Sequence, residues 1–224
     1  FKVDICDSLE KQDWKTFIPP KDEVLIGGLT FLKNWIIRGE TSNALDKLFV
    51  KNISTNIEEE LIFSDENVYV PGVTLTQKNR NTDEIYLGYS SPKTPSRVYR
   101  YNLLNKSKEL VKEQEIPSGH DKDDYIVERF EFKSHDGRLV PLTITRHKKT
   151  KIDSSANLLL YGYGSYGNSM SPSFSSTKLS LIDRDIIWAT AHIRGGMEKG
   201  MKWWKEGKLT NKKNTFEDYI CAAK

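Results

Sequence analysis

The stretch that decides the fold is Leu158-Leu-Leu-Tyr-Gly-Tyr-Gly-Ser-Tyr-Gly167, an apolar run that ends in a glycine-rich loop. An uninterrupted apolar run of this kind is typical of a strand buried on both faces of a parallel sheet, so we expect that strand here. Residues 175–183 follow with helical spacing that puts Leu179 and Ile182 on one face, and residues 186–193 form a second apolar run. The order strand, helix, strand predicts an α/β layer with parallel strands.

Upstream of residue 117 the sequence has a different pattern, in which short β-branched or aromatic runs alternate with turn signals. The predicted strands are residues 24–26, 31–37, 47–51, 60–63, 67–70, 73–76, 84–89 and 97–102. The predicted turns are Gly27-Gly28, residues 64–67, Pro71-Gly72, and residues 78–83 and 90–95. Short strands at regular spacing are typical of an antiparallel sandwich, barrel or propeller, and the repetition is too faint to choose among them.

A polar stretch, Pro117-Ser-Gly-His-Asp-Lys-Asp-Asp124, separates the two patterns and is typical of a domain crossing. After it, Asp136-Gly137 lies between two alternating runs and predicts a β-hairpin, with His135 as a turn residue. We therefore divide the chain into an all-β part, residues 1–116, and the start of an α/β part, residues 117–224.

Composition excludes several classes of protein. The 224 residues carry 34 Lys and Arg against 31 Asp and Glu, and no basic block suggests a nucleic-acid partner. Cys6 and Cys221 are too few for a disulfide framework, and no apolar run approaches the roughly 20 residues of a membrane-spanning helix. No signal peptide heads the chain, so we expect a reduced, cytoplasmic protein. The four histidines lack metal-binding spacing, so we expect neither a metal nor another cofactor.

The glycine-rich loop allows more than one chemistry. Gly162, Gly164 and Gly167 match the dinucleotide-binding spacing, but a polar loop with Pro172 follows where that motif needs a helix. Tyr163 and the tyrosine three residues later could instead donate phenol O–H groups at the carboxyl end of the strand, where they could stabilise an oxyanion. Alternatively, both rings pack over the edge of the sheet.

No catalytic machinery stands alone in this sequence. A nucleophile elbow needs the spacing G-x-S-x-G, and no serine has it, since Ser165 has Tyr163 two positions before it. His192 lies in an apolar run and is typical of a core histidine. The last segment, from Thr215, predicts a helix in which Thr215 and Asp218 resemble a capping box. Cys221 is expected on the buried face of that helix.

Further motifs occur in a recognisable order. They are Phe174-Ser-Ser, Leu179-Ser-Leu-Ile-Asp-Arg184, Ala191-His-Ile-Arg-Gly-Gly196, Gly207-Lys-Leu and Lys213-Asn-Thr-Phe216, with Tyr89-Ser-Ser-Pro92, Lys112-Glu-Gln-Glu-Ile-Pro117 and His135-Asp-Gly137 upstream. Together with the run ending in Gly167, they resemble the prolyl oligopeptidase family from about Glu84 onward. Within that family the resemblance is to the oligopeptidase B branch, serine peptidases that cut short peptides after Arg or Lys.

The resemblance implies the last blades of a β-propeller, followed by the N-terminal part of an α/β-hydrolase catalytic domain. Tyr163 matches the family's oxyanion-hole tyrosine, and Tyr166 matches a position that lines the substrate pocket. The family's Gly-Gly-Ser-x-Gly-Gly elbow should follow the helix at Thr215, and the Ser, Asp and His of the triad are absent from the sequence. Met197 replaces a third glycine after Arg194-Gly-Gly, which disfavours a positive φ at that position.

Three hypotheses about function follow. The first is a fragment of a serine oligopeptidase that acts on short peptides after Arg or Lys and is inactive alone, with a complementing C-terminal fragment as its candidate partner. The second is a non-catalytic peptide-binding module or decayed remnant, and the third is a nucleotide-binding protein. Because a truncated sheet leaves an unpaired edge and an uncovered apolar face, we expect the isolated chain to be poorly soluble or partly unfolded.

Overall fold

The computed structural model describes residues 15–74 and 80–224, so Cys6 and parts of the predicted segments 73–76 and 78–83 lie outside it. Within those residues the strands form three sheets of four strands each. The strands are β1 Val24–Phe31, β2 Trp35–Ser42, β3 Leu45–Asn52, β4 Glu58–Glu60, β5 Val70–Thr74, β6 Glu84–Ser90, β7 Arg97–Asn102, β8 Lys108–Glu113, β9 Tyr125–Lys133, β10 Leu139–His147, β11 Asn157–Tyr161 and β12 Ile186–Ala191. The helices are α1 Ser176–Ile182, α2 Gly200–Lys205 and α3 Lys213–Ala222.

The first two sheets are meanders in which each strand pairs antiparallel with the next, in the orders β1-β2-β3-β4 and β5-β6-β7-β8. The alternation in β6 buries Ile85, Leu87 and Tyr89 on one face. These side chains share one apolar core with Ile37 and Val50 of the first sheet. The two sheets therefore pack face to face and cover each other's apolar sides, as neighbouring blades do.

Five predictions in this region are wrong. The predicted strands 60–63 and 67–70 lie almost entirely outside the strands. Gly27-Gly28 is not a turn but part of β1, where the register against β2 shifts between Ile26 and Leu29 as in a β-bulge. Pro71-Gly72 lies inside β5, and the predicted strand 31–37 is divided by a turn in which the Leu32 N–H donates to the Trp35 carbonyl. Strand β8 was not predicted, because all six of its residues are exposed and show no alternation.

The third sheet is mixed and has the order β11-β12-β10-β9. Strands β9 and β10 form the predicted hairpin around Asp136-Gly137, β12 runs antiparallel to β10, and β11 runs parallel to β12. The predicted helix is α1, whose first turn is capped by the Ser175 side chain, and it buries Leu179 and Ile182 against Trp188. Tyr219 of α3 belongs to the apolar cluster on the opposite side of the sheet.

Strand β11 is not buried on both faces, contrary to its apolar sequence. Within the described part of the chain it pairs with β12 alone, and its outer edge is open. Leu158 is 54% exposed, and Tyr161 is 41% exposed. An open edge beside an exposed apolar face is the arrangement that another strand normally completes.

Hydrogen bonds join the blades to the mixed sheet. The Ala44 N–H donates to the Glu198 carbonyl over 2.9 Å, and the Phe174 N–H donates to the Ser90 hydroxyl over 2.9 Å. The polar segment 117–124 also takes part, since His120 Nε2 lies 2.7 Å from the Lys93 carbonyl oxygen. These contacts fix the end of the second blade beside the loop that leads into α1.

Candidate active site

The β11–α1 loop, residues 162–175, carries both candidate tyrosines at the carboxyl end of β11. Tyr163 is 41% exposed and Tyr166 is 86% exposed. Tyr166 has a φ of 55°, and Gly164 and Gly167 have φ values of 59° and 71°, so the chain turns sharply here. A positive φ is unfavourable for a non-glycine residue such as Tyr166, so contacts with neighbouring residues must hold this turn. Both tyrosines are exposed to solvent.

Gly164 is required by the packing of this loop. A Cβ at Gly164 would lie 2.5 Å from Cγ2 of Thr215 and 2.7 Å from the Arg194 carbonyl oxygen. Its role is therefore close approach to α3 and to the segment after β12. The helix that a dinucleotide motif needs at the loop is not there, because the next helix, α1, begins at Ser176.

Hydrogen bonds from two directions hold the loop. The Lys212 ammonium, at the start of α3, donates to the Gly164 carbonyl over 2.5 Å and to the Ser165 hydroxyl over 2.8 Å. The Gly167 N–H donates to the Gly195 carbonyl over 2.9 Å. Partial burial lowers the pKa of Lys212. A donor on a loop held in this way needs little reorganisation when negative charge develops beside it.

Arg194 is the centre of a buried charged network behind the loop. Its guanidinium, 1% exposed, donates to both carboxylate oxygens of Asp218 over 2.9 and 2.6 Å and also to Asp136. The Ser134 hydroxyl donates to Asp218 as well. Burial alone would lower the pKa of Arg194, but the hydrogen bonds to Asp218 and Asp136 outweigh it, and the net shift is upward. The network ties the β9–β10 hairpin to the segment after β12 and to α3.

The predicted capping box is wrong, and the network explains why. Helix α3 begins at Lys213, and Thr215 and Asp218 are buried residues of its inward face. The Thr215 hydroxyl donates to the carbonyls of Arg194 and Gly207, and Asp218 accepts from Arg194. The signal in the sequence was an arginine directly after an apolar strand, a position where a buried charge needs a partner.

Glu198 is a second buried charged residue that sequence reasoning missed. It is 1% exposed, and its Oε1 accepts a hydrogen bond from the Met170 N–H over 2.9 Å. Burial raises its pKa to about 7, although the Met170 hydrogen bond acts in the opposite direction. Met197, beside it, does not have a positive φ. The positive φ values of this segment belong to Gly195, at 104°, and Gly200, at 76°.

The remaining candidates occupy structural positions. His192 is fully buried, its Nε2 lies 2.8 Å from the Thr143 hydroxyl, and burial lowers its pKa to about 3, so it is the expected core histidine. His135 lies in the hairpin turn, and Cys221 is half-buried on α3.

Neither a metal site nor a membrane span emerges from the described ranges. Across residues 15–74 and 80–224, no three His, Cys, Asp or Glu side chains are grouped so that they could hold a metal ion. Over the same residues no helix has the length and apolarity needed to cross a membrane.

The architecture defines a class of protein: antiparallel four-stranded blades followed by the opening strands of an α/β-hydrolase sheet. Residues 1–114 match the family model for the prolyl oligopeptidase N-terminal beta-propeller domain, and residues 172–224 match the model for the prolyl oligopeptidase family. The chain therefore belongs to the prolyl oligopeptidase family of serine peptidases. The predicted fold class, propeller blades followed by the start of a hydrolase domain, is confirmed.

Individual relatives agree with this assignment. Dipeptidyl aminopeptidase BI of Pseudoxanthomonas mexicana is 37% identical over 215 residues, which are 96% of this chain and 29% of the relative. Protease 2 of Moraxella lacunata is 30% identical over 223 residues, or 100% of this chain and 30% of the relative. The structure of oligopeptidase B from Trypanosoma brucei with covalently bound antipain superposes with a TM-score of 0.84 at 31% identity, covering 92% of this chain and 30% of that one. The chain thus spans less than a third of the length of these relatives.

Proposed function

We propose that this chain contributes the oxyanion-stabilising part of the active site of a serine oligopeptidase that hydrolyses short peptides after Arg or Lys. The proposed division is residues 1–116, the closing part of a propeller, and residues 117–224, the N-terminal part of the peptidase domain. The observation that carries the proposal is the position of Tyr163, a half-exposed phenol at the carboxyl end of β11 on a loop held by Lys212 and Gly195.

The proposed chemistry is acyl transfer. A nucleophile that attacks the scissile carbonyl turns its oxygen into an oxyanion, and the Tyr163 hydroxyl would donate a hydrogen bond to that oxygen. The Arg194–Asp218 network behind the loop supports this role, because it keeps the backbone of the loop in place while charge develops. Tyr166, which is largely exposed, would contact the substrate side chain beside the scissile bond.

We propose that the chain is inactive alone. Acyl transfer needs a nucleophile and a base, and none of the serines in these 224 residues has the nucleophile-elbow spacing. The open edge of β11 and the exposed Phe216 and Ile220 on α3 support a further segment as a partner that completes the sheet. That segment would supply the triad and the carboxylates that recognise a basic side chain.

A chimera tests this function. The present chain replaces the matching 30% of Moraxella Protease 2, and hydrolysis of an Arg-amide reporter is measured. Tyr163→Phe is expected to lower kcat by about 10²–10³ with KM nearly unchanged, because the oxyanion donor acts mainly in the transition state. Tyr166→Ala is expected to act mainly on KM.

The matched control is Tyr161→Phe, since Tyr161 is also 41% exposed and lies at the end of the same strand. The control should leave both constants unchanged. An active chimera in which Tyr163→Phe behaves like Tyr161→Phe would refute the oxyanion role. A folded chimera that binds the peptide but does not cleave it would instead favour a non-catalytic peptide-binding module.

A further inference from the structure

Residues 195–200, which we call the glycine segment, connect the β11–α1 loop with the first blade. On the loop side, the Gly167 N–H donates to the Gly195 carbonyl, and a Cβ at Gly167 would lie 2.6 Å from Cε of Met197. On the blade side, the Glu198 carbonyl accepts from the Ala44 N–H over 2.9 Å. Gly200 is packed so closely that a Cβ there would lie 2.9 Å from the Val24 carbonyl oxygen.

The side chain of Glu198 points from this segment back to the loop. Its Oε1 accepts from the Met170 N–H, and its carboxyl group packs directly against the Cα of Gly196, where any Cβ would overlap it. Oε2 is buried, and no group among residues 15–74 and 80–224 forms a hydrogen bond with it. An ionised carboxylate at this point would therefore have one oxygen without a donor, which is costly away from water.

We propose that Glu198 is a positioning residue for the β11–α1 loop, and that protonation of its carboxyl group determines how firmly the loop is held against the glycine segment. In the neutral form Oε1 still accepts from Met170 and no net charge is buried. In the ionised form the unpaired charge favours opening of the loop, so that water can reach Oε2. The link to substrate handling rests on the proposed function, whereas the link between Glu198 and loop opening does not.

The pKa of Glu198 is set by its own burial and not by charged neighbours. Its pKa responds to burial and to backbone hydrogen bonds, and no charged side chain of the described residues contributes. Lys199, its neighbour on the segment, donates to the Leu139 carbonyl over 3.0 Å and lies 3.6 Å from Glu131. His192, directly after β12, has a pKa of about 3 and stays neutral. At the β2–β3 turn the contact comes from the Ala44 backbone, which does not titrate.

The test is hydrogen exchange of the Met170 amide in the whole 224-residue chain at pH 5.5 and pH 8.5, corrected for the intrinsic pH dependence of exchange. Because the pKa of Glu198 is raised from 4.5 to about 7, the folded loop is favoured at low pH and is weakened as pH rises through neutrality. Protection of the Met170 amide is expected to fall about thirtyfold between the two pH values.

Two variants sharpen the result. Glu198→Gln keeps an oxygen that accepts from Met170 but cannot ionise, so protection of this amide should not change with pH. Glu217→Gln, which removes a partly exposed carboxylate 3.8 Å from Lys213, should behave like the unmodified chain. Equal protection at the two pH values in the unmodified chain would overturn the proposal, even if Glu198→Gln did not fold. A pH-dependent loss that persists in Glu198→Gln would overturn it as well.

None of these hydrogen-exchange measurements needs peptidase activity. An inactive chimera with a pH-dependent Met170 amide would refute the proposed function and leave the positioning role intact. An active chimera in which protection of the Met170 amide does not change with pH would support the proposed function and refute the positioning role.

Discussion

The blades and the mixed sheet are held together by different interactions. The blades share an apolar core in which Phe63, Tyr69 and Tyr89 pack ring against ring at centroid distances of 5.5 to 6.0 Å. The mixed sheet instead buries Arg194 and Asp218 almost completely behind its β11–α1 loop. The blades also bury Arg38 beside Glu40, at 2.9 Å, but their shared core is apolar.

The two kinds of interaction differ in how they depend on geometry and on pH. Apolar burial is non-directional and nearly independent of pH, so the stability of the blades should depend little on pH. Buried, fully hydrogen-bonded charges have strict geometry and fail when one partner is removed, which suits a part that must hold a loop in one conformation. The two regions should therefore respond differently to substitution and to pH.

The largest expected effect is that of Asp218→Asn, which removes the fully buried one of the two carboxylates that pair with Arg194. We expect the free energy of unfolding of the mixed sheet to fall by about 3–5 kcal/mol, as measured by urea unfolding with segment-resolved hydrogen exchange. Glu217→Gln, one residue away at a partly exposed position, should change it by no more than about 0.5 kcal/mol. Similar effects of the two variants would show that the network does not hold this region.

Leu87→Ala tests the apolar core of the blades. Leu87 is fully buried, and its truncation should cost about 3 kcal/mol through lost burial and a residual cavity. The same urea experiment should give equal losses at pH 5.5 and pH 8.5, because no titratable group is removed. A strong pH dependence would contradict the division between the two regions.

Gly164→Ala tests how the β11–α1 loop fits against α3. The substitution forces a Cβ towards Thr215 at a positive φ, and we expect a loss of about 2–3 kcal/mol. Gly72→Ala is the control, because a Cβ at Gly72 of β5 meets nothing within 4 Å. A stability equal to that of the control would mean that the loop is not tightly packed.

Glu198→Gln has the smallest expected effect and the one that depends on pH. With a pKa raised to about 7, Glu198 supports folding fully below pH 4.5, and this support is lost as pH rises through 7. Relative to the unmodified chain, the variant should therefore gain about 2 kcal/mol of stability between pH 5.5 and pH 8.5. Urea unfolding at the two pH values measures this gain, and a constant difference between the chains would contradict it.

The sequence predicted those parts that depend on local pattern. The Asp136-Gly137 hairpin, helix α1 with its Ser175 cap, and most blade strands follow from turn chemistry and periodicity. Tyr163 and Tyr166 could be named because they follow an apolar strand and match a family motif. Their roles stay predictions.

Distant contacts account for what the sequence did not reveal. Asp218 has a residue type that suits a helix cap, and only its contact with Arg194, 24 residues away, turns it inward. The residue type of Glu198 suggests a surface position, but in the structure its carboxyl group packs against Gly196 and accepts a hydrogen bond from Met170. Gly27-Gly28 suggests a turn, yet its neighbour β2 makes it a bulge inside a strand.

The most direct test of the central claim is to incubate the purified 224-residue chain with an Arg-amide reporter and measure hydrolysis. The chain carries the proposed oxyanion donor, and none of its serines has the nucleophile-elbow spacing. We therefore predict no hydrolysis above that of buffer, and no labelling by a serine-reactive fluorophosphonate. Measurable turnover by the chain alone, abolished by Tyr163→Phe and retained in Tyr161→Phe, would contradict the claim, because it would require a nucleophile within these residues.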